Sequence, residues 1–120
     1  MLRKRILVVD DDRSICQLYR TALTLSGFIV EIAADGFGAL LKIDAEKPDL
    51  IVLDLQMPRV DGLSLLDELR ANTDTESIPV VVVTGTDHQG AAAQASAVLR
   101  KPCEPEALIS VIEHQLQSAA

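Results

Sequence analysis

Ile6-Leu7-Val8-Val9, Leu50-Ile51-Val52-Leu53 and Ile78 to Val83 are nearly unbroken runs of branched apolar residues. Each ends on a side chain that can carry or bond charge: Asp10, Asp54 and Thr84. A strand with one wet face alternates apolar and polar residues. A strand apolar throughout is buried on both faces, the condition of a parallel sheet covered by helices. This pattern restricts the chain more than anything else in it.

Between the runs the spacing turns helical. Ile15, Leu18, Tyr19, Ala22 and Leu25 fall on one predicted helical face, and Gly27 supplies the C-terminal stop. Phe28 to Ala33 is predicted as a second strand, with Asp35-Gly36 as a turn. A helix carrying Ala39, Leu40 and Ile43 follows and ends before Pro48. After Asp54, a loop through Met57-Pro58 and Asp61-Gly62 leads to a helix with Leu63, Leu66 and Leu69 inward. Pro79 is tolerable only near the beginning of its strand. A short fifth strand, Ala97 to Leu99, ends at Lys101-Pro102. The last helix starts near Glu104 or Pro105 and buries Leu108, Val111 or Ile112, and Leu116.

Strands alternating with helices imply an α/β fold with helices on both faces of one sheet. Right-handed crossovers leave few topologies. Five parallel strands in 120 residues fit a single doubly wound domain over 1–120, with strand order 2-1-3-4-5. In such sheets ligands sit beyond the carboxyl ends of the strands. The polar residues lie there: Asp10, Asp11 and Asp12 after the first strand, Asp54 after the third, Thr84 after the fourth, Lys101 after the fifth.

Composition excludes several alternatives. The chain is 48% hydrophobic, enough for a core, and Tyr19, Phe28 and Phe37 are its only aromatic residues. So few rings argue against a protein that stacks nucleobases, and a net charge of −7 repels phosphate backbones. Arg3-Lys4-Arg5 is better read as a solvated start than as a binding patch, so no direct nucleic-acid contact is expected. Cys16 and Cys103 form no CxxC pair, which argues against a disulfide or structural zinc. No apolar run approaches the ~18–20 residues of a membrane span, and the N-terminus lacks a signal-peptide layout. A cytoplasmic protein without a membrane partner is the expectation.

Several carboxylates at one sheet edge repel one another. Two unit charges at ~4 Å interact by ~4 kcal/mol at an effective dielectric near 20, so the cluster needs a cation or must protonate. Oxygen donors without His or Cys favour a hard ion, Mg²⁺ before Zn²⁺. Mg²⁺ holds few carboxylates and keeps places for phosphate oxygens. A lysine can neutralise such oxygens, and a threonine hydroxyl can donate to one. An aspartate between metal and lysine is then a plausible nucleophile toward phosphorus. Taken singly, these residues have plainer readings. Asp12 is better read as a helix cap than as a ligand, and Asp61-Gly62 as turn and cap. The combination at four strand ends carries the functional reading.

Ile6-Leu-Val-Val-Asp-Asp-Asp12, Pro48-Asp-Leu-Ile-Val-Leu-Asp-Leu-Gln-Met-Pro-Arg-Val-Asp-Gly62, Pro79-Val-Val-Val-Val-Thr-Gly85 and Leu99-Arg-Lys-Pro102 follow in order. On these stretches the chain resembles the response-regulator receiver domain over essentially its whole length. The resemblance implies a flavodoxin-like fold and a two-component signalling role rather than conventional enzymatic turnover. It implies that Asp54 is the phosphoacceptor and that Asp10 and Asp11 hold Mg²⁺, with Asp11 the more direct ligand. Asp54 and the Gln56 carbonyl would complete the metal set. Lys101 would pair with the phosphoryl group, and Thr84 would report its arrival. The implied donor is a phosphohistidine on a sensor histidine kinase or phosphotransfer protein. His88 and His114 read as surface residues, not donors. The resemblance also allows a cis Lys101–Pro102 bond, and a homodimer through the face of the fourth helix, fifth strand and fifth helix. It identifies no output partner, and the chain reads as a stand-alone receiver or a piece of a larger protein.

Two features depart from the family. Receivers often carry an aromatic residue three positions before the lysine, and here that position is Val98, whose stiff χ1 leaves little room for a swing. Only residues 84–96 separate the fourth strand from the fifth, close to the ~10–12 minimum for a parallel crossover. That segment has Gly85, Gly90 and a run of alanines, so the fourth helix is expected to be short, loosely packed or absent. Cys103, where receivers often place an aromatic, reads as a small apolar filler. The alternative function is a receiver-like interaction module that works without phosphorylation. A covalent-Asp phosphatase is disfavoured, because Gln56 stands where such enzymes place a second acidic residue.

Overall fold

The computed structural model describes residues 3–57, 61–85 and 89–118. Strands β1 (Arg5–Val9), β2 (Ile29–Ala33), β3 (Leu50–Leu53), β4 (Val80–Thr84) and β5 (Ala97–Arg100) alternate with helices α1 (Arg13–Leu25), α2 (Gly36–Ala45), α3 (Gly62–Ala71), α4 (Gln89–Gln94) and α5 (Pro105–Ser118). The strands form one parallel sheet in the order β2-β1-β3-β4-β5.

Alternation along each strand divides the core into two layers. Leu7, Val9, Ile51, Leu53, Val80 and Val82 face one side, where they meet Ala39 and Ile43 of α2, Leu65, Leu66 and Leu69 of α3, and Ala91 of α4. Ile6, Val8, Leu50, Val52, Val81 and Val83 face the other, against Cys16, Tyr19 and Leu23 of α1 and Leu108 and Ile112 of α5. The central strands are therefore buried on both faces. Edge strand β2 is not, and its Glu31 reaches Arg5 at 2.8 Å and Lys42 at 3.2 Å. Arg5 also pairs with Glu46, so it is fastened to the fold rather than simply solvated.

Two expectations need correction. The inward face of α1 is rotated: Cys16, Tyr19 and Leu23 are buried, while Leu18 is 52% and Leu25 83% exposed. At 100° per residue, a position two residues from a buried one points roughly to the opposite side. Leu18 and Leu25 each stand two residues after a buried side chain. Asp35-Gly36 is a helix start rather than a free turn, because the Asp35 carboxylate accepts from the Gly38 N–H at 2.7 Å.

Other local expectations match the structure. Asp12 caps α1 by accepting from the Ser14 and Ile15 N–H groups. Gly27 ends that helix at φ 98°, a left-handed conformation costly to any residue with a Cβ. Asp61 caps α3. The fourth helix is present, with six described residues, Gln89–Gln94. Its crossover closes where Ser96 N–H donates to the Val80 carbonyl and the Ser96 hydroxyl oxygen accepts from the Val80 N–H. The Lys101–Pro102 peptide is cis. His114 is exposed, whereas His88 lies outside the described residues. No described helix is long and apolar enough to cross a membrane.

Candidate functional site

Asp10 and Asp54 are the residues immediately after β1 and β3, neighbouring strands at the centre of the sheet. The Asp54 N–H still donates to the Val9 carbonyl, and the Asp10 N–H to the Ala33 carbonyl, so the ladder fixes both main chains. Their side chains leave the sheet at its carboxyl edge yet remain buried, each residue 4% exposed. Both are restrained. Asp10 Oδ1 accepts from the Asp12 N–H at 2.9 Å, and Asp54 Oδ1 from the Gln56 N–H at 3.2 Å. These short turns aim the second oxygen of each carboxylate at a common space.

Lys101 reaches that space from beyond β5. Its Nζ lies 3.0 Å from Asp10 Oδ2 and 3.5 Å from Asp54 Oδ2. The Lys101 main chain is fixed by its N–H to the Thr84 carbonyl at 2.9 Å, which joins the ends of β4 and β5. Thr84 is wholly buried. Asp11 is exposed, and one oxygen from each of Asp10, Asp11 and Asp54 falls within 4.8 Å of the others. Gln56 contributes its main chain at the site, while its side chain faces solvent. The side chains of residues 10, 11, 54 and 101 thus converge.

Burial pushes the Asp54 carboxyl up, and the negative charge of Asp10 adds to this. The Gln56 N–H and the Lys101 ammonium oppose the shift without cancelling it. Burial draws Lys101 down, but its hydrogen bond to Asp10 and the charges of Asp10 and Asp54 outweigh that and leave it raised. One ammonium faces three carboxylates, so the group retains an excess of negative charge that a cation would offset. The donors are all oxygens, and two sit on rigid strand ends. That chemistry fits a hard divalent ion and leaves part of its shell to other ligands.

Two contributors escaped the sequence reading. The sequence marks Gly62 only as turn and cap, yet a Cβ there would clash with the Asp54 carbonyl oxygen and lie 2.6 Å from Leu55 Cα. Its N–H donates to the Leu55 carbonyl at 3.1 Å. The absent side chain lets α3 start directly against the Asp54 peptide. The signal was a glycine following the cap, but its contact is non-local. Cys16 is the second: its thiol donates to the Asp10 carbonyl at 3.2 Å, and burial, with Asp10 nearby, pushes it up to about 11. Nothing in the sequence marks that contact.

A parallel 2-1-3-4-5 sheet with carboxylates and a lysine at its switch point defines a doubly wound α/β domain with a charged carboxyl edge. Comparison with known proteins narrows the class: residues 6–113 match the response regulator receiver domain, and the chain belongs to that family. It is 41% identical over 111 residues to the response regulator MprA of Mycobacterium ulcerans, covering 88% of this chain and 47% of that protein. Its fold is similar to a receiver domain protein from Methanospirillum hungatei, with TM-score 0.91, 31% identity and coverage of 98% and 97% of the two chains. It is also similar to the chemotaxis protein CheY4 of Vibrio cholerae, with TM-score 0.88, 30% identity and coverage of 94% and 98%. The chain spans about half the length of the curated relatives it matches.

Proposed function

We propose that residues 1–120 form one receiver domain in which Asp54 accepts a phosphoryl group from a phosphohistidine and thereby switches partner binding. The observation that carries this reading is a buried Asp54 carboxylate with the Lys101 ammonium 3.5 Å from one oxygen and two further carboxylates beside it. Mg²⁺ would be held by Asp10, Asp11, Asp54 and the Gln56 carbonyl, and when bound it supplies charge neutralisation for the phosphoryl oxygens.

The remaining work belongs to the chain's own groups. An Asp54 oxygen forms the new bond to phosphorus as the phosphorus–nitrogen bond breaks, and the imidazole leaves with the electron pair. The Gln56 N–H holds the other Asp54 oxygen, which leaves Oδ2 as the attacking atom. Lys101, already between Asp10 and Asp54, offers its positive charge to the incoming phosphoryl oxygens. Thr84, beside it at the end of β4, supplies a hydroxyl for another. Later attack of water on phosphorus returns the carboxylate and inorganic phosphate, so the domain assists its own phosphorylation and dephosphorylation without being a conventional enzyme.

The donor would be a sensor histidine kinase or phosphotransfer protein in the cytoplasm. An open groove of about 410 Å³ beside the site, lined by Asp10, Asp11, Arg13, Gln17 and Arg20 among others, gives it room to approach. The α4–β5–α5 face is the candidate surface for an output partner or a homodimer. Titration of the protein with beryllofluoride, a phosphoryl mimic, in Mg²⁺ tests the reading through amide shifts at Asp12 and Gln56. The wild type should respond and Asp54→Asn should not. A silent wild type would instead support the module that works without phosphorylation.

A further inference from the structure

We propose that α3 is the mechanical link between the acceptor carboxylate and α4, touching the Asp54 peptide at Gly62 and fastening the end of α4 through Arg70. The inference rests on the reading of Asp54 as phosphoacceptor and adds the route by which its state reaches a distant surface. Val98 makes another route necessary. It is 41% exposed on edge strand β5 and has no ring to swing.

The acceptor end of the link is a contact between main chains. With a Cβ at Gly62 excluded by the Asp54 carbonyl and Leu55 Cα, the first turn of α3 lies against the peptide that carries the acceptor. A shift of that peptide therefore moves α3. The helix can pass such a shift on because Leu65, Leu66 and Leu69 are wholly or almost wholly buried. Close-packed interiors transmit strain rather than absorb it.

The far end is polar. Arg70 Nε donates to the Gln94 carbonyl at 2.9 Å, while its Nη1 donates to the carbonyls of Glu76 at 3.0 Å and Ile78 at 2.7 Å. One guanidinium thus joins α3, the approach to β4 and the last residue of α4. A second tie runs from the Gln94 side-chain amide to the Asp67 carboxylate, one turn earlier on α3. Helix α4 is short and alanine-rich; among the described residues it buries the small side chain of Ala91, with Ala95 beyond the helix partly buried. An element held by a few hydrogen bonds is more readily repositioned than one held by a large apolar face. Residues 84–96 also connect the site to this helix along the chain. Arg70 therefore fastens the far end of α4 to α3, whose first turn adjoins the acceptor.

The test is amide hydrogen exchange on the whole chain, with and without Mg²⁺ and beryllofluoride, in wild type and Arg70→Met. In wild type, exchange at the Ala95 N–H, which bonds to the Ala91 carbonyl, should change by about fivefold or more. In Arg70→Met the response at Asp12 and Gln56 should persist, while that at Ala95 falls to within about twofold. An undiminished Ala95 response in that variant overturns the inference, as does a wild type that responds at the site but not at Ala95. No response at Asp12 or Gln56 in wild type removes the reading of the site itself, and the inference with it. If Arg70→Met does not fold, Asp67→Ala cuts the exposed tie, and its Ala95 response must be reduced for the proposal to stand.

Discussion

Asp54 is held in a conflict of charges. Its carboxyl is raised by burial and by Asp10, and a group whose folded pKa exceeds its unfolded one favours the folded state most at low pH. That contribution is fully present below the unfolded pKa and is lost as pH rises through the folded one. Without divalent cation, the ionised Asp54 should therefore cost stability near neutral pH. Asp54→Asn is expected to raise the Tm by about 4 °C in EDTA, equivalent to ~1 kcal/mol in a domain of this size, and calorimetry checks it. A direct carboxyl titration by NMR should place Asp54 above the ordinary aspartate range in the apo protein, with Mg²⁺ bringing it down. The cysteines separate by a similar argument. Cys16 is buried with its thiol pushed up to about 11, whereas Cys103 is only partly buried and lines an open groove. Alkylation at mildly alkaline pH, followed by peptide mapping, should label Cys103 well before Cys16.

At the scale of elements, caps and stops were legible because they depend on a few neighbouring residues. Asp12 is the cap its position before the helix suggests: its carboxylate accepts from the Ser14 and Ile15 N–H groups, while the Asp12 N–H orients Asp10. Asp12→Ala should lower stability by about 1 kcal/mol, read as a lower urea midpoint at unchanged slope. Its Mg²⁺ affinity should fall far less than that of Asp11→Ala. The shortness of α4 was legible from residues 84–96, which lack the large apolar side chains a longer helix would need to dock. The face of α1 was not. Leu18 and Leu25 look like core residues in a list of apolar positions, whereas the buried stripe runs through Cys16, Tyr19 and Leu23. Apolar type alone does not decide which side of a helix faces inward; the sheet beneath does.

For the whole molecule, the parallel sheet followed from β1, β3 and β4 being apolar throughout; right-handed crossovers left few orders, and the observed one is among those that fit five strands in a short chain. That order brings the ends of β1 and β3 together, so Asp10 and Asp54 become neighbours although the sequence separates them widely. Convergence was readable from topology; the contact of Gly62 with the Asp54 peptide was not, because it depends on how closely α3 approaches the acceptor loop. The same distinction applies to Arg70, whose three carbonyl partners come from separate parts of the chain.

The central claim is that one carboxylate, lodged between a cation site and Lys101, takes up a phosphoryl group. Intact-mass spectrometry after incubation with Mg²⁺ and an acyl phosphate measures this without any partner protein. A mass gain of a single phosphoryl group is expected, lost on adding EDTA beforehand and absent in Asp54→Asn. No gain in the wild type, or an equal gain in the variant, would contradict it.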